Sequence, residues 1–248
     1  MNPYSSICDD FGMTVNLASK MELPTGRETV LGFFDAVKKR FPRMTDFEKR
    51  GETEFALEEE RDGGNYRFVT LDGRRLTMGA VNPPTLEAAD ELANTILEMA
   101  PYHEGISPLE TDYLDVQYYF DLDYKGNHDE ITVEALAGDG PFDGFGKVGT
   151  SGILNYQPSM MVALEDSGQL QARLSIETRT TPYHVRTHNY PELPISTYLT
   201  IRQFWHKQPY ANYMESYKAQ RERLDELVND WLLPQVVQPL QRAIAAKS

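Results

Sequence analysis

Three polar side chains at alternate positions, His184, Arg186 and His188, stand in the stretch Thr181-Pro-Tyr-His-Val-Arg-Thr-His-Asn189. Two imidazoles that exchange protons near neutral pH and a guanidinium that can hold an anion are the ingredients of a ligand-binding site. In an extended chain all three share one face, and the outer pair is then about 13 Å apart, too far to share one metal ion. A helix would draw the histidines together, but the strand expected before Pro182 and the proline at 191 argue against a long one. No HExxH glutamate accompanies them. The pattern therefore points to contact with an anion or substrate, and no metal is assigned.

A second candidate is acidic. In Asp121-Leu-Asp-Tyr-Lys-Gly-Asn-His-Asp-Glu130 the acids at positions 1, 3 and 9 and the glycine at 6 follow the spacing of a calcium loop. Lys125 stands at the fifth position, where an oxygen ligand is needed, and Thr132 stands where the bidentate Glu belongs. The string reads instead as a strand end, a glycine turn and an Asn127 helix cap, with acids near the positive end of the helix dipole. Asp115, Asp121 and Asp123 fall on one face of the preceding strand, and Asp129 and Glu130 in the first turn of the helix. The five are expected to form one negative patch, attractive to a cation or a basic partner.

Gly138 to Gly152 is the most glycine-rich stretch, and Lys147 after Gly146 invites a phosphate-loop reading. Pro141 stands where that loop needs its first glycine and Val148 where it needs Ser or Thr, so a mobile surface loop or lid is expected. No GxSxG elbow or kinase signature set is present. No cofactor is indicated.

Period-two alternation and three- to four-residue apolar steps give the elements that carry these residues. Met13 to Leu23 reads as a strand, and Thr25-Gly-Arg-Glu28 has the form of a capping box opening a helix over 25–41, ended by Pro42. Strands follow at Glu52 to Glu59 and Tyr66 to Val81, then a helix over 85–100 and a strand over Asp112 to Tyr124. This β-α-β-β-α-β order is that of the ferredoxin-like split unit. Further strands are expected at Met160 to Leu164, Leu170 to Thr180 and Thr197 to Phe204. A long helix covers 210–233 until Pro234 and Pro239 break it.

The second half echoes the first. Val15-Asn-Leu leading into its helix cap recurs 101 residues later as Val116-Gln-Tyr, and Phe55-Ala-Leu-Glu-Glu59 recurs as Val162-Ala-Leu-Glu-Asp166. The expected organisation is α+β with antiparallel sheets: a ferredoxin-like unit over 1–124, a second α+β unit over 112–248 sharing one strand, and a degenerate duplication relating them.

Composition bounds the function. The net charge is −14, and Leu76 to Gly146 carries all of it, with fifteen Asp and Glu against the single Lys125. Nucleic-acid phosphates would be repelled. No apolar stretch is long enough for a signal peptide or a membrane span, and the single Cys8 excludes an intramolecular disulfide, so a cytoplasmic protein is expected. The missing catalytic constellation and the supply of Tyr and Trp in the last third suggest a module that binds a small molecule or a protein partner, and a homodimer. Two other readings stand beside it: an enzyme with a polar site built from His184, Arg186, His188 and the Gly138 to Gly152 loop, and a scaffold subunit.

Overall fold

In the computed structural model, β1 (Asp10–Ser19) and β6 (Thr111–Tyr124) lie side by side in the middle of one nine-stranded sheet. The structure describes residues 2–247 other than 62, 139, 150, 151 and 207–209. The remaining strands are β2 (Met44–Lys49), β3 (Glu54–Glu59), β4 (Tyr66–Asp72), β5 (Arg75–Val81), β7 (Ser159–Ala163), β8 (Leu170–Glu177) and β9 (Leu193–Phe204). Their order is β2-β3-β4-β5-β1-β6-β9-β8-β7, antiparallel throughout. At the join Val15 pairs with Val116, and each half places its first strand beside its last.

Alternation explains the layering. Phe11, Met13, Val15 and Leu17 of β1 and Leu114, Val116, Tyr118, Phe120 and Leu122 of β6 are all buried. They join a single core with the apolar stripes of α1 (Arg27–Arg40), α2 (Leu86–His103), α3 (His128–Leu136) and α6 (Tyr213–Leu227). The stripes sit at helical spacing, Val30-Phe33-Phe34-Val37 in α1 and Ala89-Leu92-Ala93-Ile96 in α2. Side-chain caps fix the starts of α2, α3 and α6: Thr85 Oγ1 accepts from the Ala88 amide, Asn127 Oδ1 from Asp129 and Glu130, and Asn212 Oδ1 from Glu215. Arg221, 7% exposed, ties the layers together by pairing with Asp90 of α2 and Asp225 of its own helix beneath the Tyr118 ring. Tyr118 donates to Asp225 at 3.1 Å.

Several expectations are corrected. Tyr66 to Val81 is a hairpin, reversed at Gly73 with φ of 53°, and β2 is an extra strand, so residues 1–124 run β-α-β-β-β-β-α-β, two strands more than the ferredoxin-like order expects. The Thr25–Glu28 box does not form, because α1 is capped by Gly26 without a side-chain bond. The Gly138 to Gly152 stretch, expected as a loop, contains α4 (Pro141–Gly146). Neither Pro234 nor Pro239 ends the final helix. A π-helical segment, Val228–Val237, takes Pro234 inside it, and α7 (Gln238–Ala245) accepts Pro239 in its first turn, where a missing N–H leaves no gap.

Two glycines let aromatic rings lie across the side of the sheet away from the helices. The atoms nearest a Cβ at Gly12 all belong to the Tyr119 side chain, the first at 2.0 Å, whereas a Cβ at Gly79 would meet the Phe68 ring at 2.6 Å and the Met13 carbonyl at 2.7 Å. A ring can swing aside and a strand backbone cannot. Gly79→Ala is expected to cost roughly 2 kcal/mol despite the better strand propensity of alanine, and Gly12→Ala distinctly less. Urea midpoints of the two variants check this ordering, which equal losses would contradict.

Candidate functional site

The sheet side opposite the helices is built from the alternate residues of β4, β5, β1, β6, β9 and β8, and it is half-exposed. Tyr66 and Phe68 give way to Thr77, then Thr14 and Asn16, then Gln117 and Tyr119, then Tyr198 and Thr200. Cross-strand bonds already hold many of these groups. Thr77 donates to Asn16 at 2.7 Å, and Gln117 donates to Thr200 at 2.7 Å. Arg202 grips Asp115 through two bonds of 2.7 Å, with its guanidinium 3.8 Å from the Tyr113 ring centre. Burial raises the Asp115 carboxyl against the lowering pull of Arg202. None of these six strands contains a lysine, and Glu177 is their one glutamate.

One end of this face is acidic. Asp10 lies directly across from Asp121 in the β1–β6 register, and Asp9 Oδ2 accepts from the Asp123 amide at 2.8 Å. Asn82, in a left-handed conformation, donates to Asp10 and accepts from the Phe11 amide, fixing this corner. Burial, helped by the neighbouring Asp10 and Asp123, pushes the Asp121 carboxyl up to about 6 against the Ser196 hydrogen bond and the Arg179 charge.

The sequence-predicted residues divide. Asp121 and Asp123 belong to this acidic end, which β1 and the residue before it complete with Asp10 and Asp9. Asp115 is on the same face but is neutralised by Arg202. Asp129 is fully buried at the start of α3, where Oδ1 accepts from the Tyr156 amide and the Thr178 hydroxyl, both at 2.7 Å; Glu130 beside it is exposed. The five expected acids therefore do not share one surface: the alternation of β6 holds, but the fold draws the helix start inward. His128 is likewise structural. Nδ1 accepts from the Arg179 amide, Nε2 bonds the Tyr124 carbonyl, and burial lowers its pKa.

His184, Arg186 and His188 are not extended. They lie on and just after the short helix α5 (Pro182–Thr187), started by a Thr181–His184 capping box, the form expected at Thr25. The His184 ring is engaged with the Thr181 amide, Arg186 lies 5.9 Å from the Tyr183 ring centre, and His188 takes the left-handed turn that closes the helix. Among the described residues, no group of three or more His, Cys, Asp or Glu is placed to hold a metal ion, and no helix is long and apolar enough to cross a membrane. Residues 139, 150 and 151 of the glycine-rich stretch lie outside the described residues.

Comparison with protein-family models and with curated proteins finds no match for the chain. Sequence reasoning missed Asp9, Asp10, Asn16 and Arg202: alternation in β1 and β9 signalled Asn16 and Arg202, whereas Asp9 and Asp10 precede the strand expected from Met13. Their cross-strand pairing was not readable without the register.

Asp121 shares its raised pKa with Glu104, which is 2% exposed, whose carboxyl has no hydrogen-bond partner among the described residues, and which is pushed up by burial to about 7. A carboxyl whose folded pKa is raised holds its proton longer in the folded state. Its stabilising share is complete below the unfolded value and is lost as pH rises through the folded one. Glu104→Gln is expected to be near neutral at pH about 4.5 and to stabilise by at most about 3 kcal/mol at pH about 8. Asp121→Asn should show the same sign, complete by pH about 7. Urea melts at the two pH values check both, and a gain independent of pH would contradict the assignment.

Proposed function

We propose that the protein is a non-catalytic binding module that takes a basic polypeptide partner flat against the helix-free side of its sheet. The composition of that side carries the reading. A merely solvated sheet face is usually dressed with Lys and Glu, whereas protein interfaces are depleted in both and enriched in Tyr and Arg. Here six adjacent strands hold no lysine, while Tyr66, Tyr113, Tyr119, Tyr198 and Arg202 stand on the face. The bonds that fix Asn16, Gln117 and Asp115 also fit docking, since side chains already held lose little freedom on binding.

Charge chooses the partner. The face ends in Asp9, Asp10, Asp121 and Asp123, and the chain as a whole carries −14, so a polypeptide presenting Lys and Arg is attracted and an acidic one is turned away. The near symmetry of the sheet, with Val15 against Val116 at the join, supports a duplicated origin for the two halves, and the face spans both.

The test places a photo-crosslinking residue at Tyr198 in the full chain and recovers the cross-linked product from the native host. A basic polypeptide is expected, attached less as salt rises. Gln117→Arg, which puts a repelling charge at the centre of the face, should weaken capture about tenfold or more. Asp143→Asn on α4 should leave it unchanged. Capture indifferent to Gln117→Arg would refute the reading.

A further inference from the structure

The two edges of the sheet are unlike. The β2 edge carries Asp46, Glu48 and Lys49 within six residues, the usual protection against edge-to-edge pairing. The β7 edge carries no charge at all, and it lies within a run of seventeen uncharged residues, Val148 to Leu164, in a chain of net charge −14. Met160, Met161 and Val162 are 67%, 60% and 46% exposed, so both faces of the strand are apolar and open. On the helix side, Met160, Val162, Leu164, Leu174 and Leu227 line a cleft of about 290 Å³ whose rim is Trp231, 44% exposed and set in the π-helical segment.

The topology shows what is missing there. From the join outward the first half runs β1-β5-β4-β3-β2 and the second β6-β9-β8-β7. Among the described residues, no strand takes beyond β7 the position that β2 fills beyond β3. In the first half α1 also roofs that margin, through Phe34 against Phe47, whereas α3 packs on α7 instead.

We propose that a second copy of the chain fills this position, the two β7 strands pairing antiparallel across a two-fold axis through Met161. The geometry is self-complementary. Met161 then faces its own copy, Ser159 faces Ala163, and Met160 faces Val162 on the side of the Trp231 rim. It is also where two chains of net charge −14 can approach without meeting like charges. A stable dimer buries at least about 1,200 Å², more than a five-residue strand pair supplies, so Trp231 and its cleft belong to the interface. The pairing puts both helical layers on one side and both binding faces on the other.

Sedimentation equilibrium of the full chain, from micromolar to submillimolar concentration, is expected to give twice the 28.3 kDa of one chain. Met161→Lys sets two ammonium groups opposite each other and should yield a monomer with unchanged circular dichroism. Trp231→Ala leaves the strand intact and should weaken association about tenfold or more. Met161→Cys should give a disulfide-linked dimer under copper-phenanthroline oxidation, and Ser159→Cys should not, because it faces Ala163 rather than itself. A wild-type chain of 28.3 kDa at every concentration overturns the proposal. So does a dimer that survives Met161→Lys, or one cross-linked through Ser159→Cys instead of Met161→Cys. A different protein occupying this edge while the pure chain stays monomeric would overturn the choice of a second copy.

Discussion

Ten residues of β1 pair with β6, and each of these two strands also holds the innermost strand of its own half, β5 on one side and β9 on the other. The register of that central ladder sets everything lateral to it. A slip of one residue would turn Met13, Val15 and Leu17 out of the core and bring Thr14 and Asn16 in. It would also part Tyr119 from Gly12 and Asp121 from Asp10. The layered core and the opposed face are thus two consequences of one pairing.

The same ladder explains where charge can be buried. Arg221 is acceptable inside the core because Asp90 and Asp225 neutralise it and the Tyr118 ring covers it, so the helices are tied to β6 by a network rather than by apolar contact alone. On the other side Asp115 is balanced by Arg202 across a single strand spacing. The Asp10–Asp121 corner has no such cation opposite it in the register; Arg179, bonded to Ser196 across from Asp121, offsets it only in part, and the remaining field gives the face its polarity.

Much of the fold was legible in the sequence because its periodicities are strong. The strand at Asp112 to Tyr124, its apolar and acidic sides, the helix over 85–100 and the Asn127 cap all follow from local spacing. What was not legible depended on partners distant in sequence. Tyr66 to Val81 alternates without a break, and only a positive φ at Gly73 divides it into a hairpin. The proline at 234 signals a helix end locally, yet packing of Val228, Leu232, Val236 and Val237 in the core carries the chain through a wider helical turn. The candidate site was half visible: alternation exposed Asp121 and Asp123, but their neighbours Asp9 and Asp10 come from more than a hundred residues away. His184, Arg186 and His188 stood out by type and spacing, although their first use is to start, stack on and close a short helix.

The join between the halves also sets an order of assembly. During synthesis β5 can pair with β1 once the intervening meander has emerged, but Val116 follows Val15 by 101 residues. At a translation rate of roughly 5 to 20 residues per second, the far edge of β1 waits about 5 to 20 s for β6. Through that interval the nascent chain presents a ten-residue strand with Phe11, Met13, Val15 and Leu17 on one side and one row of backbone groups unpaired. The chain's exposure to misassembly is therefore greatest while its first half is already built, and it ends when β6 arrives.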